Sequence, residues 1–448
     1  MPRKSHVLTL VLAEFLIAVS PVAAHGAGGT RQSFRLPGWV LVIVGGGVIM
    51  ISFILASMMT DREFIEAFHN YRRNIDVNPL VFRAAGLFLK VFGLLFGVAV
   101  LYTGMTGGLY PNNFSLLAVW GVWWVGYTAT VYLLGDSWRY LNPWRTVSEP
   151  LPDLDLELNV YVKTAASVGG ILGLVWLEVG SSAGASGGNP RVLSYYIIGY
   201  SVLTVMGAVI YGTSTWFGHV DPLSRMFRIY GWIAPVSRTD EGLEFSFPSS
   251  RLVEPRYVDD SVDVGFVAAL LWAASFDGFT ATPLWNSGAD FLREMGVPRS
   301  ASLLVTLIGG FLFFLGIYRL ASVYSHRTAD SLIHPRWLEI RFVSSLVPIA
   351  AGYHLAHYLG YLFNLAPSIA DSFVHPFGTP GGLTVAVLPD WYTALPVVFI
   401  FLGHVAAIWV SHAISFDVFT GRLQPIKSQY PYVVAMVFYT MFGLWTIT

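Results

Sequence analysis

His354 and His357 stand three residues apart in Tyr353-His354-Leu355-Ala356-His357-Tyr358, inside an otherwise apolar segment. On a helix that spacing puts both on one face, with Cβ atoms about 5–6 Å apart, so both imidazoles can reach one metal ion. His404 sits near the middle of the next apolar segment; at ~1.5 Å of rise per residue it falls within ~6 Å of the level of His354 if the two helices run antiparallel. Asp277 interrupts an earlier apolar segment at nearly the depth of His357, and Glu178 lies near the outer end of another. Three neutral imidazoles with one or two carboxylates form a ligand set for a divalent metal ion, zinc, copper or iron. Such an ion would bring its bound water to a pKa near ~7, with Glu178 or Asp277 accepting the proton. Two other expectations stand beside this one. Each histidine could instead donate to a neighbouring helix as structural glue, and opposed His354 and His404 could hold a haem. His412, at a helix end, is assigned to structure.

Those residues are positioned by a chain that is 54% hydrophobic and only 12% charged over 448 residues, with a mean hydropathy of +0.59. That composition lies outside the balance of a soluble globular domain. Apolar stretches long enough to cross about 30 Å of hydrocarbon recur near 37–59, 84–104, 114–135, 161–180, 192–213, 262–285, 301–324, 341–364, 389–412 and 430–447. The expected fold is therefore all-α: a polytopic transmembrane helical bundle of about ten spans, forming a single domain over 25–448. The sixth span is the weakest, since Asp277, Gly278 and Pro283 interrupt it, and a shorter or broken helix is expected there. No loop is long enough for a separate soluble domain. The largest, 214–262, is expected to be ordered only against helix ends. No internal repeat of the kind that builds many transporters is visible.

Residues 1–24 read as a secretory signal peptide: Arg3 and Lys4, an apolar run from Val7 to Val19, then Pro21-Val22-Ala23-Ala24. Glu14 within the run leaves an uncleaved anchor as the alternative. Seventeen Lys and Arg residues fall in one set of alternating loops and five in the other. This places the first set in the cytoplasm and both the mature N-terminus and the C-terminus outside a plasma membrane. If cleavage follows Ala24, His25 becomes the first residue, and its amine and imidazole could chelate copper together with His375 of an outer loop.

Lys plus Arg (26) and Asp plus Glu (27) nearly cancel, so no global field gathers nucleic acid. The absence of cysteine removes disulfides, thiolate metal sites and cysteine nucleophiles. Phosphate-binding loops (GxGxxG and the P-loop) and HExxH are likewise absent. The partners expected are the lipid bilayer and a small molecule or ion, with membership of a larger membrane complex as a further alternative. Trp120, Trp123 and Trp124 in the third span read as packing or interface anchors. Two cytoplasmic segments, Gly135 to Arg145 and Asp221 to Arg228, read as collars that pin helix ends, with Asp136 facing Arg139 or Arg145; binding of a lipid headgroup or other anionic ligand is the alternative.

Gly135 to Thr146 (GDSWRYLNPWRT), Trp176-Leu177-Glu178, Asp221 to Pro235, Ser275-Phe276-Asp277-Gly278-Phe279 and Tyr353 to Tyr358 (YHLAHY) occur in that order along the chain. Together they resemble a prokaryotic family of membrane proteins labelled fenitrothion hydrolase or fenitrothion hydrolase-like. The resemblance implies hydrolysis of an organophosphorus ester. Two function classes are expected: a metal-dependent membrane hydrolase using His354, His357, His404, Asp277 and Glu178, and a transporter or accessory factor for a metal ion or proton with the same side chains lining its pathway.

Overall fold

The computed structural model describes residues 38–181, 188–239, 242–255, 261–421 and 423–447. The expected signal peptide and His25 lie outside them.

Helix starts follow a local rule. Asn78, Asn142, Asn189, Asp221 and Thr282 each cap a helix with a side-chain oxygen that accepts from a backbone N–H of the first turn, and each is followed by proline. An acceptor at the cap and a residue lacking N–H at the first position together dispose of otherwise orphaned donors. In chain order the helices include α1 (Gly38–Ser57), α2 (Arg62–His69), α3 (Pro79–Thr106), α4 (Phe114–Leu134), α5 (Val160–Gly180), α6 (Pro190–Tyr211), α7 (Pro222–Gly231), α8 (Ser261–Thr280), α9 (Pro283–Glu294), α10 (Arg299–Thr328), α11 (Val347–Asn364), α12 (Leu395–Val418) and α13 (Gln424–Ile447), with shorter ones such as Pro143–Ser148 between them.

This is a helical membrane protein. Among the described residues, six helices are long and apolar enough to cross a bilayer, or eight if each of two bent pairs counts as one span. One bent pair turns by 114° between α1 and α2, the other by 76° between α8 and α9. The second is the interruption expected at Asp277 to Pro283. Thr280 ends α8, and the side chain of Thr282 accepts from Trp285 N to start α9 at Pro283. Each of the ten apolar stretches is helical over most of its length. α11 is only 18 residues long and carries two histidines and three tyrosines, which reduces its apolarity.

Burial sorts the helices by what surrounds them. Along α3, Leu87, Phe88, Val91, Leu95 and Val98 are exposed, as lipid-facing side chains would be. The central helix α8 packs against α5, α10 and α11, and every residue from Val264 to Phe276 is buried, so its apolar character runs all the way round. α11 and α12 cross closely at Gly352 and Gly403. A Cβ at Gly352 would lie 2.6 Å from Phe399 O, and one at Gly403 would lie 2.5 Å from Pro348 O. Close backbone approach through glycine is a common mode of helix association in lipid, and it fixes the rotation of α11.

One element was not expected. Arg72–Asp76 (β1), Val236–Arg238 (β2) and Gly242–Ser246 (β3) form an antiparallel sheet in the order β1-β3-β2, with Arg72 opposite Ser246 and Val236 opposite Phe245. Arg72 bridges Glu254 at 2.6 Å and Glu244 at 3.4 Å, tying the sheet to the following turn. The 214–262 loop is thus more ordered than its composition suggested.

Candidate functional site

Leu117 to Tyr127, within α4, is wound as a π-helix. Such winding is rare, usually a single turn, and concentrates at functional sites. Here it runs for eleven residues and divides the tryptophans: Trp120 and Trp123 line one cavity and Trp124 another.

On the Trp124 side, α5, α8 and α11 bring together Glu178, Asp277, His354 and His357 around Tyr358. The Tyr358 hydroxyl donates to Glu178 Oε2 at 3.1 Å. Tyr358 also lies in the electrostatic field of Asp277, and Tyr361 in that of Glu178. Gly278 lets the His357 ring lie against α8: a Cβ there would be 2.5 Å from His357 Cε1 and 3.2 Å from Nδ1. Glu178 and Asp277 are 6% and 5% exposed, which in this setting marks them as functional candidates.

His354, one turn along α11 from Tyr358, is enclosed by aromatic rings. Tyr358 is 5.0 Å away between centroids, Trp124 5.8 Å, Tyr132 6.0 Å and Tyr230 6.3 Å. This 3% exposed histidine has no side-chain hydrogen-bond partner for its ring; the backbone of Trp124 lies within reach of it. A cavity of about 10 Å³ opens between His354, Tyr358 and Tyr230, with Ile171, Met226 and Ala273 completing its walls. That is room for one water molecule, with three polar side chains to hold it.

Below His354, Tyr132 and Tyr230 meet edge to face at 5.1 Å. Gly231, next to Tyr230, abuts Asp136: a Cβ there would lie 2.8 Å from Asp136 N. Asp136 Oδ1 accepts from Trp138 N at 3.0 Å. Burial raises the Asp136 pKa above the ordinary 3.8, opposed chiefly by the positive charge of Arg228 and then by Arg139. Arg228, rather than Arg139 or Arg145, is thus its main counter-charge, and Arg145 bonds Glu149 at 3.2 Å instead. Because the folded state favours protonated Asp136, its contribution to stability is most favourable at low pH. That contribution declines as pH rises from 3.8 through the raised folded value. Asp136→Asn is expected to flatten this part of a stability-versus-pH profile, measured by thermal unfolding in detergent.

His404 turns elsewhere. Its Nδ1 bonds Ile400 O at 2.8 Å and its ring lies 5.7 Å from that of Tyr353, on another side of α11 from the cluster. The three-imidazole set is therefore not assembled. Among the described residues, no three His, Asp or Glu side chains form a group able to hold a metal ion.

No protein-family model, curated protein or solved structure matches this chain.

His412 and His375 are held by local partners. His412 bonds Gln429 Oε1 at 3.2 Å and Met59 O at 2.8 Å, while His375 pairs with Asp371 at 2.8 Å on an exposed turn. Asp221 acts as the collar expected of it, accepting from Ser224 N at 2.9 Å and from the Tyr200 hydroxyl. Tyr358 was not singled out in sequence, although its place four residues from His354 puts it on the same helix face. Tyr132 and Tyr230 come from separate elements and gave no such signal.

Proposed function

We propose that this protein is a plasma-membrane protein of about ten spans, with both mature termini outside and its signal peptide removed, that passes protons through its helical bundle. It would do so as a proton-coupled carrier or as the accessory subunit of a larger membrane complex. The reading rests on one observation: titratable side chains follow one another from Glu178 and Asp277 through Tyr358 and His354, across a water-sized cavity, to Tyr230, Tyr132 and Asp136. With Glu178 protonated the hydrogen bond reverses: Glu178 hands its proton to the Tyr358 oxygen as the Tyr358 hydroxyl proton leaves toward water or His354. Reprotonation of Glu178 from the outer side, with release from His354 inward, returns the interior to neutrality. His357 and Asp277 supply the outer entry, and Asp136 with Arg228 the cytoplasmic exit. The cavity admits water but no larger substrate.

The test is proton flux in liposomes carrying an internal pH-sensitive dye under an imposed pH gradient. The parent is expected to dissipate the gradient faster than protein-free vesicles. His354→Phe, whose ring suits the aromatic enclosure but carries no proton, is expected to slow it about tenfold at unchanged thermal stability. Parent vesicles as tight as empty ones, or a His354→Phe variant as fast as the parent, would defeat the proposal.

The second reading, ester hydrolysis as implied by the resemblance, is favoured by the gathering of two carboxylates and two imidazoles in one cluster, where they could serve as acid and base. It is tested in detergent, without a gradient, by turnover of an aryl phosphotriester with and without added zinc. Turnover abolished in Glu178→Gln, with no proton flux in the parent, would select it.

A further inference from the structure

The other face of the π-helical wall borders a cavity of about 930 Å³ between α3, α4, α5, α6 and the start of α10. It lies outside the proton path and has a different chemistry. Among the described residues its sole charged lining residue is Asp221, whose carboxylate already accepts from Tyr200 and Ser224. An anion would find no cation here, and a cation no uncommitted anion. Unpartnered buried donors among the lining side chains point to what does fit; Trp123 Nε1 and Trp138 Nε1 are two of them. Trp216 Nε1 and Ser300 Oγ, on residues 8% and 3% exposed, have no hydrogen-bond partner in the protein. The indole N–H can only donate, and the hydroxyl can donate as well. Buried donors of this kind are ordinarily satisfied, so their complement is an acceptor oxygen on whatever fills the space. The walls are aromatic, with Trp120, Trp123, Trp144 and Trp176 among them.

We propose that this cavity binds a neutral lipophile bearing carbonyl oxygens, one of which accepts from Trp216 or from Ser300. Two membrane components share that chemistry: a quinone-type ring, and the ester-linked chains of a phospholipid. On α5, Gly169 and Gly173 line the cavity, and a Cβ at either would meet nothing within 4 Å. Larger side chains there can fill the space without displacing the backbone.

The full-length protein in phosphatidylcholine nanodiscs is titrated with decylubiquinone while its tryptophan emission is followed. Bound phospholipid is counted by native mass spectrometry after delipidation. A ring-binding site gives saturable quenching, weakened at least tenfold in the Gly169→Leu/Gly173→Leu variant. In Trp216→Phe or Ser300→Ala, quenching by decylubiquinone weakens severalfold while quenching by decylbenzene, which lacks the oxygens, does not. A lipid-binding site gives no saturable quenching but a retained phospholipid that the filled variant loses. Either result supports the site and names its source. Linear quenching equal in parent and filled variant, with no retained lipid, overturns it. Should the filled variant fail to fold, the Trp216→Phe and Ser300→Ala comparison decides alone: unchanged saturable quenching by decylubiquinone in both overturns the proposal.

Discussion

Glu178→Gln is expected to lower proton flux through the reconstituted protein about 100-fold, the scale on which removing a positioned proton donor or acceptor acts. The substitution is close to isosteric. Its amide oxygen can still accept from Tyr358, whose hydroxyl lies 3.1 Å from Glu178 Oε2, so the α5 to α11 contact persists while the capacity to carry a proton is lost. Thermal unfolding in detergent should move little, which separates loss of relay from loss of fold. Tyr358→Phe preserves the ring faces against His354 and Trp124 at 5.0 and 6.1 Å and removes only the hydroxyl. A smaller loss is expected there, because water in the neighbouring cavity can bridge to His354. If Glu178→Gln conducts like the parent, the cluster is structural and the proton reading fails.

The parts of the site legible in sequence were those fixed by helical depth. Hydropathy gives each apolar segment and the level of each polar residue along it, and the polar and helix-breaking residues Asp277, Gly278 and Pro283 were enough to mark the break between α8 and α9. Depth does not give rotation about the helix axis. His354 and His404 share a level, yet His404 faces Tyr353, one residue and about 100° around α11 from His354. That rotation follows from the tight crossing at Gly352 and Gly403, whose partners are far apart in sequence. The π winding of Leu117–Tyr127 was equally hidden, since a run of apolar and aromatic residues reads the same at either helical pitch. β1 was missed because Arg72-Arg73-Asn74-Ile75-Asp76 shows no apolar alternation; its order comes from β3 and from the Arg72 ion pairs.

The second large effect concerns the stability of the α7 to α8 contact. Arg225 on α7 and Asp263 on α8 are 1% and 6% exposed and form a direct ion pair. The guanidinium also donates to His219 O at 2.9 Å and lies 5.4 Å over the Phe266 ring. Removing one partner of such a pair leaves the other charge buried. Arg225→Ala is therefore expected to cost about 3–5 kcal/mol, read as a lowered midpoint of denaturant unfolding in detergent. Replacing both residues, Arg225→Met with Asp263→Leu, removes the stranded charge and is expected to recover most of that loss, because a well-packed apolar pair often matches a buried ion pair. A double variant as unstable as Arg225→Ala would instead assign the effect to the lost His219 contact. The pair also tethers α7, and so the Tyr230 ring, to the core of the bundle. If its role is to aim Tyr230 at His354, the refolded double variant should keep its proton flux, since α7 remains packed on α8 without any charge between them.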